Sequence, residues 1–428
     1  MRLDKKFLGD SAWNYGAFAL MAATGVALNV FIVTVFGVEP LGIFNQVYAV
    51  YVVSSQLAVF GIHNSSQKHI AEYAGSPDQR RSIVLSAVWV SLIFGLIMSL
   101  ILFTSSSYIG NLTSSTQVAN GVALAATGLL LFPLNKVLLG VLNGERRMKA
   151  FAIVQSARVL SILAFAGAVA LADWPAYALG GAFPVAEFVI VFPLLFVVRP
   201  WSGPSVSSIR EWAYRHIQFG SRAIANGFLA ESYIRVDVMM LGIFASDETV
   251  GIYSFAAMFI EGLYQVPVVI RTVANPVLVR LISDESREEL VRFTRKTMFG
   301  SFATFSVMAG LVILVFPYLA PYFPEGLVSS SFPVLVVVVM GLALYALFIP
   351  VDFSLMQAGM PGRQSLMMCA NILINVTLNA SLIPVMGVMG AAWATAVAFV
   401  SSALVLNIAA HKWLGVTGGF LLYGVGRK

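Results

Sequence analysis

The feature that most constrains the fold of this chain is a series of long apolar runs. A helix needs about 20 apolar residues to cross the hydrocarbon core of a bilayer. Twelve runs of that kind lie near residues 13–36, 41–62, 83–104, 118–141, 151–172, 176–198, 216–244, 251–273, 297–317, 331–355, 364–386 and 388–411. None alternates in polarity over about ten residues, as the strands of a membrane β-barrel do. We therefore predict an all-α polytopic membrane protein with twelve transmembrane helices.

The composition excludes the common soluble classes. Charged residues make up 11% of the chain and apolar residues 59%, whereas an ordinary soluble domain is about 25% charged. A soluble globule of 428 residues would need a polar surface that this chain lacks. The single cysteine, Cys369, can form no internal disulfide and is expected to be a small buried apolar residue. A cytosolic enzyme, a secreted disulfide scaffold and a disordered protein are thus excluded.

The distribution of Lys and Arg predicts the topology. With the N-terminus and its Arg2 on the cytoplasmic side, 21 of the 26 basic residues fall in cytoplasmic loops or tails and five fall within spans. The outer loops then carry acids only: Glu39, Asp173, Asp247, Glu248 and Glu325. Cytoplasmic loops are enriched in Lys and Arg. We therefore expect a multi-pass protein of the cell (inner) membrane with both termini cytoplasmic. The net charge of +6 reflects this topology and indicates no nucleic-acid partner.

Two cytoplasmic loops, 63–81 and 276–296, are amphipathic and are expected to form short helices at the membrane interface, a solvated connector being the alternative. Their matching positions prompt a search for a repeat. EPLGIF (39–44) aligns with ETVGIY (248–253), and FPLNKV (132–137) aligns with IPVDFS (349–354), at offsets of 209 and 217.

This duplication predicts two six-helix bundles, residues 1–205 and residues 206–428, the second including a short cytoplasmic tail. An even number of spans returns the chain to the side of the membrane on which it began, so the second repeat has the same orientation as the first. Such parallel repeats are expected to surround a central cleft that opens by alternating access.

Ten charged residues within the spans are the candidate functional residues, since an ionisable group at the bilayer centre costs roughly 2.5–3.5 kcal/mol. The bases are Arg235, Arg222, Arg271, Lys136 and Arg158. The acids are Glu231, Asp237, Glu261, Asp352 and Glu187. Repeated Arg contacts suit an anionic cargo, with phosphate foremost. The acids are candidates for structural ion pairs or for ion or proton relays.

Arg235 is the strongest of these candidates. Lys136, Arg158, Arg222 and Arg271 lie near predicted cytoplasmic helix ends, from which long side chains can extend to the interface. Arg235 lies too far from such an end. Glu231, four residues earlier, can pair with it on the same helical face, so a structural ion pair and a cargo-binding role both remain open.

Enzyme signatures are absent from the sequence. It contains no HExxH, GxSxG or Walker A motif. We expect neither a catalytic activity nor a cofactor or metal, and transport would not be ATP-driven without a partner.

Three segments carry a family resemblance. FGIHNSSQKHIAEYAG (60–75), VDVMMLGIFASDETVGIYSFA (236–256) and VMGVMGAAWATAVAF (385–399) resemble the corresponding regions of Wzx-type polysaccharide and O-antigen flippases. These belong to the polysaccharide transporter branch of the multidrug/oligosaccharidyl-lipid/polysaccharide exporter superfamily. The resemblance covers the whole chain, and its loose motifs specify the family better than the cargo.

The resemblance implies a flippase that moves undecaprenyl-diphosphate-linked oligosaccharide repeat units across the inner membrane for surface polysaccharide or lipopolysaccharide synthesis. It implies a cationic lumen, ion-coupled alternating access, membrane lipids as neighbours, and a polysaccharide polymerase with chain-length machinery as further partners. An ion-coupled multidrug-type exporter of the same superfamily is the main alternative. A membrane-embedded polymerase or ligase is disfavoured, because every outer loop is short and lacks Lys and Arg.

Overall fold

The computed structural model describes residues 5–199, 206–283, 287–415 and 420. Within these ranges every regular element is helical, which confirms the all-α prediction. The chain divides into two compact units, residues 1–231 and residues 232–428. Residue 205, the predicted end of the first bundle, lies outside the described residues, as do Arg2 and most of the predicted C-terminal tail. The arrangement as two six-helix bundles stays a prediction.

Unit 1 contains eight helices and the first part of a ninth. They are α1 Lys5–Val35, α2 Val38–Val59, α3 Ile62–Glu72, α4 Pro77–Leu112, α5 Thr116–Gly128, α6 Phe132–Gly144, α7 Met148–Leu171, α8 Ala182–Val198 and α9 Val206–Phe244. A 3₁₀ turn, Ala176–Gly181, precedes α8. The boundary between the units falls inside α9.

Unit 2 begins with the second part of α9. Its other helices are α10 Asp247–Ser283, α11 Arg287–Val315, α12 Leu327–Ala346, α13 Ser354–Gln357, α14 Pro361–Met386 and α15 Val388–Trp413. Two 3₁₀ segments, Phe316–Tyr322 and Ile349–Val351, follow α11 and α12 respectively.

Nine helices in the described ranges are long and apolar enough to cross a membrane, and the number rises to eleven if two bent helix pairs each count as one span. These eleven correspond to eleven of the twelve predicted spans. The remaining one, 216–244, lies within the 39-residue α9, which is the most polar of the predicted spans. A multi-pass helical protein is thus established, while the number twelve stays a prediction.

Of the two bent helix pairs, only the second departs from a predicted continuous span, because the bend between α2 and α3 lies where the predicted span 41–62 ends. Helices α2 and α3 meet at 46°, and α5 and α6 meet at 45°. The second break interrupts the predicted span 118–141 just before Pro133, and the predicted span 331–355 is likewise interrupted before Pro350. Proline lacks an N–H and clashes with the preceding helical turn, so each span ends and restarts there. Pro133 and Pro350 are equivalent in the sequence repeat.

The two amphipathic loops differ in structure. Residues 62–72 form the separate helix α3, which packs on α6 because Gly140 and Gly144 admit its backbone. A Cβ at Gly140 would lie 2.6 Å from the His63 carbonyl oxygen. The prediction for 276–296 was wrong: helix α10 extends to Ser283 and α11 begins at Arg287, so this segment forms no helix of its own.

Helix α4 shows the face expected of a lipid-exposed helix. Large apolar side chains on α4 are about half exposed: Trp89, Ile93, Leu96, Ile97, Leu100 and Phe103. Soluble monomers rarely expose so continuous an apolar surface. The buried residues of α4 include small ones such as Ser86, Ala87 and Gly95, and Gly95 admits the carbonyls of Leu129 and Leu130 at the α5–α6 break.

Candidate functional site

Within unit 1, three polar side chains from α6, α7 and α8 form a buried cluster. The Arg158 Nε donates to Glu187 Oε1 at 2.6 Å, and Asn135 Nδ2 donates to Glu187 Oε2 at 2.8 Å. The side chains of Glu187 and Arg158 are 1% and 19% exposed. A buried carboxylate with a guanidinium and an amide donor is well compensated. The charge of Arg158 therefore neutralises Glu187, which makes Arg158 less available to an external anion.

Lys136, the residue that follows Asn135 in α6, lies beside this cluster. Its ammonium lies 5.6 Å from the centre of the Phe132 ring, and the Arg158 guanidinium lies 5.1 Å from the same ring. Among the described residues no carboxylate pairs with Lys136 within 4 Å. Lys136 and Arg158 thus lie beside a single ring, and one of the two charges is uncompensated by a direct ion pair.

Arg222 is placed differently from the other four bases. It is an exposed residue of α9, and in the described part of the chain no acid forms an ion pair with it. Among the residues of unit 1 that the structure describes, two of the predicted bases, Lys136 and Arg222, therefore form no ion pair with a carboxylate.

In unit 2, Arg271 of α10 pairs with Asp352, which follows the break after α12. The guanidinium donates to both carboxylate oxygens, at 3.1 and 2.9 Å. Gln364 Nε2 donates to the backbone carbonyl of Asp352 at 3.0 Å, and the Arg271 guanidinium lies 4.5 Å from the Phe353 ring centre. These contacts hold the irregular segment after α12 against α10.

Arg235 pairs with Glu261. The Arg235 Nη1 donates to Glu261 Oε1 at 2.9 Å, and the two side chains are 14% and 49% exposed. Glu231, the partner predicted from the sequence, lies four residues earlier on α9, and that pairing stays a prediction. Because Glu261 is half exposed, this pair is the most open of the three buried arginine pairs.

A buried carboxylate of unit 2 has hydrogen-bond donors but no cationic partner among the described residues. Asp237 is 6% exposed. It accepts from Asn379 Nδ2 at 2.9 Å and from the Tyr253 hydroxyl at 3.0 Å. The Tyr253 hydroxyl also lies 3.0 Å from the Thr395 hydroxyl, and Asn375 contacts Asn379. An ionised carboxylate without a countercharge is costly to bury, so this group is suited to hold a proton or a cation.

The amide oxygen of Asn379 adds to this cation-holding character. It is buried and finds no hydrogen-bond donor within the described residues. Carbonyl, hydroxyl and carboxylate oxygens are the ligands of hard cations. In the ranges that the structure describes, no group of three His, Cys, Asp or Glu side chains is placed to hold a metal ion.

Comparison with known proteins identifies the family. Residues 15–282 match the family described as "Polysaccharide biosynthesis protein". The chain belongs to this polysaccharide biosynthesis protein family. The family resemblance seen in the sequence motifs is thereby confirmed.

A curated relative and two solved structures extend this identification. The chain is 25% identical over 408 residues to a protein named "Probable flippase AglR" from Haloferax volcanii, covering 91% of this chain and 80% of that protein. The fold is similar to that of the lipid II flippase MurJ in an inward closed conformation, with a TM-score of 0.75, 15% identity, and coverage of 95% of this chain and 88% of that chain.

It is also similar to an inward-facing multidrug resistance MATE family transporter of the MOP superfamily, with a TM-score of 0.66, 12% identity, and coverage of 90% and 92%. This member of the polysaccharide biosynthesis family therefore has a fold similar to those of these two proteins.

Sequence reasoning found the charged residues of this family member but missed most of their partners. Asn371, Asn375 and Asn379 of α14 recur every four residues and are all buried. A four-residue spacing places side chains on one helical face, so this polar stripe in an apolar run was a detectable signal. No comparable spacing in the sequence indicated that the hydroxyl groups of Tyr253 and Thr395 would lie near Asp237.

Proposed function

We propose that this protein is a flippase that moves a lipid-linked oligosaccharide repeat unit, carried on a polyprenyl diphosphate such as undecaprenyl diphosphate, between the leaflets by alternating access. The cargo would serve the synthesis of a surface polysaccharide such as the O-antigen of lipopolysaccharide. Membership of the polysaccharide biosynthesis family carries this proposal. The named flippase that the chain resembles over 91% of its length supports it.

The buried bases give the proposal its binding chemistry. A diphosphate carries negative charges that Lys and Arg bind through charge-assisted hydrogen bonds. Lys136 and Arg222 have no ion pair among the described residues and are therefore the first proposed contacts. Arg158, Arg235 and Arg271 are compensated by Glu187, Glu261 and Asp352. Of these three, Arg235 is the most available to the cargo, because its partner Glu261 is half exposed.

Asp237 is the proposed coupling residue. Its buried carboxylate accepts hydrogen bonds from the Tyr253 hydroxyl and the Asn379 amide, and it has no basic partner in the described ranges. The amide oxygen of Asn379 has no donor there. Binding a proton or a monovalent cation would remove the electrostatic penalty of burial. A site whose charge state depends on the external ion can bias one conformation over another.

The proposed setting is the cell membrane, with both termini on the cytoplasmic side and the cargo loaded from the cytoplasmic leaflet. The bias of Lys and Arg towards one set of loops supports this topology. A polysaccharide polymerase and chain-length machinery would then act on the translocated unit. The flippase itself would change no covalent bond and require no cofactor.

Export of small organic cations is the second candidate function. The uncompensated carboxylate of Asp237 favours it, since a buried acid suits a cationic cargo, and the fold is similar to that of a multidrug transporter. The flippase is preferred because Lys136 and Arg222 favour an anion and because the family is one of polysaccharide biosynthesis.

A reconstituted flipping assay tests both functions. The full-length protein is placed in vesicles with a fluorescent oligosaccharide on polyprenyl diphosphate, and outer-leaflet label is quenched with time. We expect protein-dependent exposure of the labelled lipid, and none with the Lys136→Met variant. Accumulation of a cationic dye without flipping of the lipid would favour the exporter and reject the flippase.

A further inference from the structure

A cavity of about 570 Å³ in unit 1 lies outside the residues considered so far. It is formed where α8 ends, α4 begins and α7 begins. Four arginines line it together with apolar residues: Arg80, Arg81, Arg147 and Arg199, with Pro77, Phe196, Val197 and Val198. Four guanidinium groups around one cavity are an unusual concentration of positive charge in a chain that is 11% charged.

Two of these arginines are fixed as the wall of the cavity. The Arg80 Nε donates to Glu145 Oε1 at 2.6 Å, and Arg147 Nη1 lies 3.4 Å from Glu145 Oε2. Both also donate to the end of α8, Arg80 to the carbonyl of Val198 at 3.2 Å and Arg147 to that of Val197 at 3.0 Å. These bonds satisfy carbonyls that have no partner within the helix. Arg80 and Arg147 thus have a structural role.

The other two arginines retain most of their donors. Arg81 lies 3.8 Å from Asp78, whose side chain is 98% exposed, so that pair is weak. The Arg199 Nε donates to the carbonyl of Phe196 at 3.2 Å, and its guanidinium lies 5.1 Å from the Phe196 ring centre. Within the described residues neither side chain has a further acidic partner. The carboxylates of Glu145 and Asp78 offset two of the four arginine charges, so the cavity retains two positive charges.

An apolar strip leads away from this cationic cavity. Phe196 lines the cavity, and Phe192 and Phe188 precede it along α8 at a spacing of four residues. These three rings are 69%, 58% and 57% exposed. Side chains at this spacing lie on one helical face. A ligand with an anionic head and an apolar chain would therefore find contacts for both parts.

The position of the cavity at the end of the apolar helices agrees with such a ligand. It lies at the C-terminus of α8 and the N-terminus of α4, where four of the basic residues of unit 1 come together. Lipid phosphates lie at the ends of membrane-spanning helices, and basic pockets between such helices bind them. The free amides of the first turn of α4 add a partial positive charge.

We propose that this arginine cavity binds the phosphate-bearing head group of a lipid, with Arg81 and Arg199 as the phosphate contacts and the Phe188–Phe192–Phe196 strip along its chain. The head group can belong to an anionic phospholipid of the bilayer or to a polyprenyl diphosphate. Only the second source rests on the proposed function.

Thermal unfolding of the full-length protein in detergent micelles tests this proposal. Phosphatidylglycerol, phosphatidylcholine, polyprenyl diphosphate and inorganic pyrophosphate are titrated separately into the wild type and the Arg81→Gln/Arg199→Gln variant. Both replaced side chains are exposed at the surface, so the variant is expected to fold with an unchanged midpoint in the absence of lipid. Arg210→Gln, which removes an exposed arginine of α9 that does not line the cavity, is the matched control.

We expect a phosphate-bearing lipid to raise the midpoint of the wild type and of Arg210→Gln. The double variant should need about a hundredfold more of it, since each of the two lost charge-assisted bonds weakens binding about tenfold. A response to phosphatidylglycerol identifies a bilayer lipid, and a response confined to polyprenyl diphosphate identifies the cargo. Equal stabilisation of the double variant, or full stabilisation by pyrophosphate alone, would overturn the proposal. Because no transport is measured, failure of the flippase assay does not affect the phospholipid result.

Discussion

Arg271 and Asp352 are 81 residues apart in the sequence, yet both oxygens of the Asp352 carboxylate accept hydrogen bonds from one guanidinium nitrogen of Arg271. The two side chains are 17% and 7% exposed. Asp352 stands directly after the break that follows α12, so this pair connects an irregular segment to α10. The equivalent position in the sequence repeat is Asn135, which serves a different buried carboxylate, Glu187. Both repeats thus use the residue after a proline break to satisfy a buried charge.

Replacing Arg271 alone should destabilise unit 2 strongly. The Arg271→Ala variant leaves a buried carboxylate uncompensated, which typically costs about 3–5 kcal/mol. Adding Asp352→Asn should restore part of that loss, because the remaining amide carries no charge. Thermal unfolding in detergent measures both, with the exposed Arg363→Ala as control. A loss no larger than that of the control would show that the pair contributes no stability.

Lys136 and Arg158 should respond in opposite ways to removal of their charge. Lys136→Met keeps an unbranched side chain beside Phe132 and breaks no ion pair among the described residues, so we expect a wild-type unfolding temperature but lost flipping. Arg158→Met isolates Glu187, which is 1% exposed, and should lower the unfolding temperature. Both variants are compared with Lys149→Met, an exposed lysine of α7. Wild-type flipping by Lys136→Met would exclude it as a cargo contact.

Arg235→Ala should abolish complementation of a flippase-deficient strain while membrane abundance stays normal. Its partner Glu261 is half exposed, so an unpaired Glu261 remains hydrated and the fold should persist. Glu261→Gln separates two roles, since it removes the ion pair but keeps the Arg235 charge. If Glu261→Gln is active and Arg235→Ala is inactive, the arginine acts on cargo. A fall in abundance alone would assign Arg235 a structural role.

Asp237→Asn should uncouple transport from the ion gradient. Asparagine keeps the size of the side chain and can still accept from Asn379 and Tyr253, but it cannot bind a proton or neutralise a cation. We therefore expect a folded protein whose flipping rate no longer depends on an imposed pH or sodium gradient in vesicles. Thr395→Val, which removes a neighbouring hydroxyl and no charge, should retain gradient dependence. Undiminished gradient dependence in Asp237→Asn would place coupling elsewhere.

Hydrophobic run length predicted the helical class and eleven of the spans, because insertion into a bilayer depends on length and apolarity that are local properties of the sequence. The breaks before Pro133 and Pro350 were not predicted, although both prolines lie in the sequence. Proline also occurs within continuous helices here, as Pro193 and Pro267 do, so its presence alone does not decide whether a span is interrupted.

The charges of the site were equally visible in the sequence, whereas their partners were not. A local rule of four-residue spacing suggested Glu231 for Arg235, a pairing that stays a prediction. The contact of Arg235 with Glu261 on another helix was not predicted. Asp352 and Arg271 likewise come from elements distant in the sequence. Such contacts depend on tertiary packing, which a single sequence does not display. The asparagine stripe of α14 was the local signal that could have located the surroundings of Asp237.

The close approach of α12 and α15 gives a final prediction about the packing of unit 2. A Cβ at Gly341 would lie 2.4 Å from the Cα of Ala396 and 2.6 Å from its carbonyl oxygen. Backbone atoms cannot move aside as a flexible side chain can, so Gly341→Ala must separate the two helices, at a typical cost of about 1–3 kcal/mol. Gly262→Ala is the matched control, since nothing lies within 4 Å of a Cβ on that helical glycine. There alanine should stabilise slightly, because glycine in a helix interior is less favourable by about 1 kcal/mol. Unfolding temperatures should therefore fall for Gly341→Ala and hold or rise for Gly262→Ala, and equal values would show that α12 and α15 do not pack this closely.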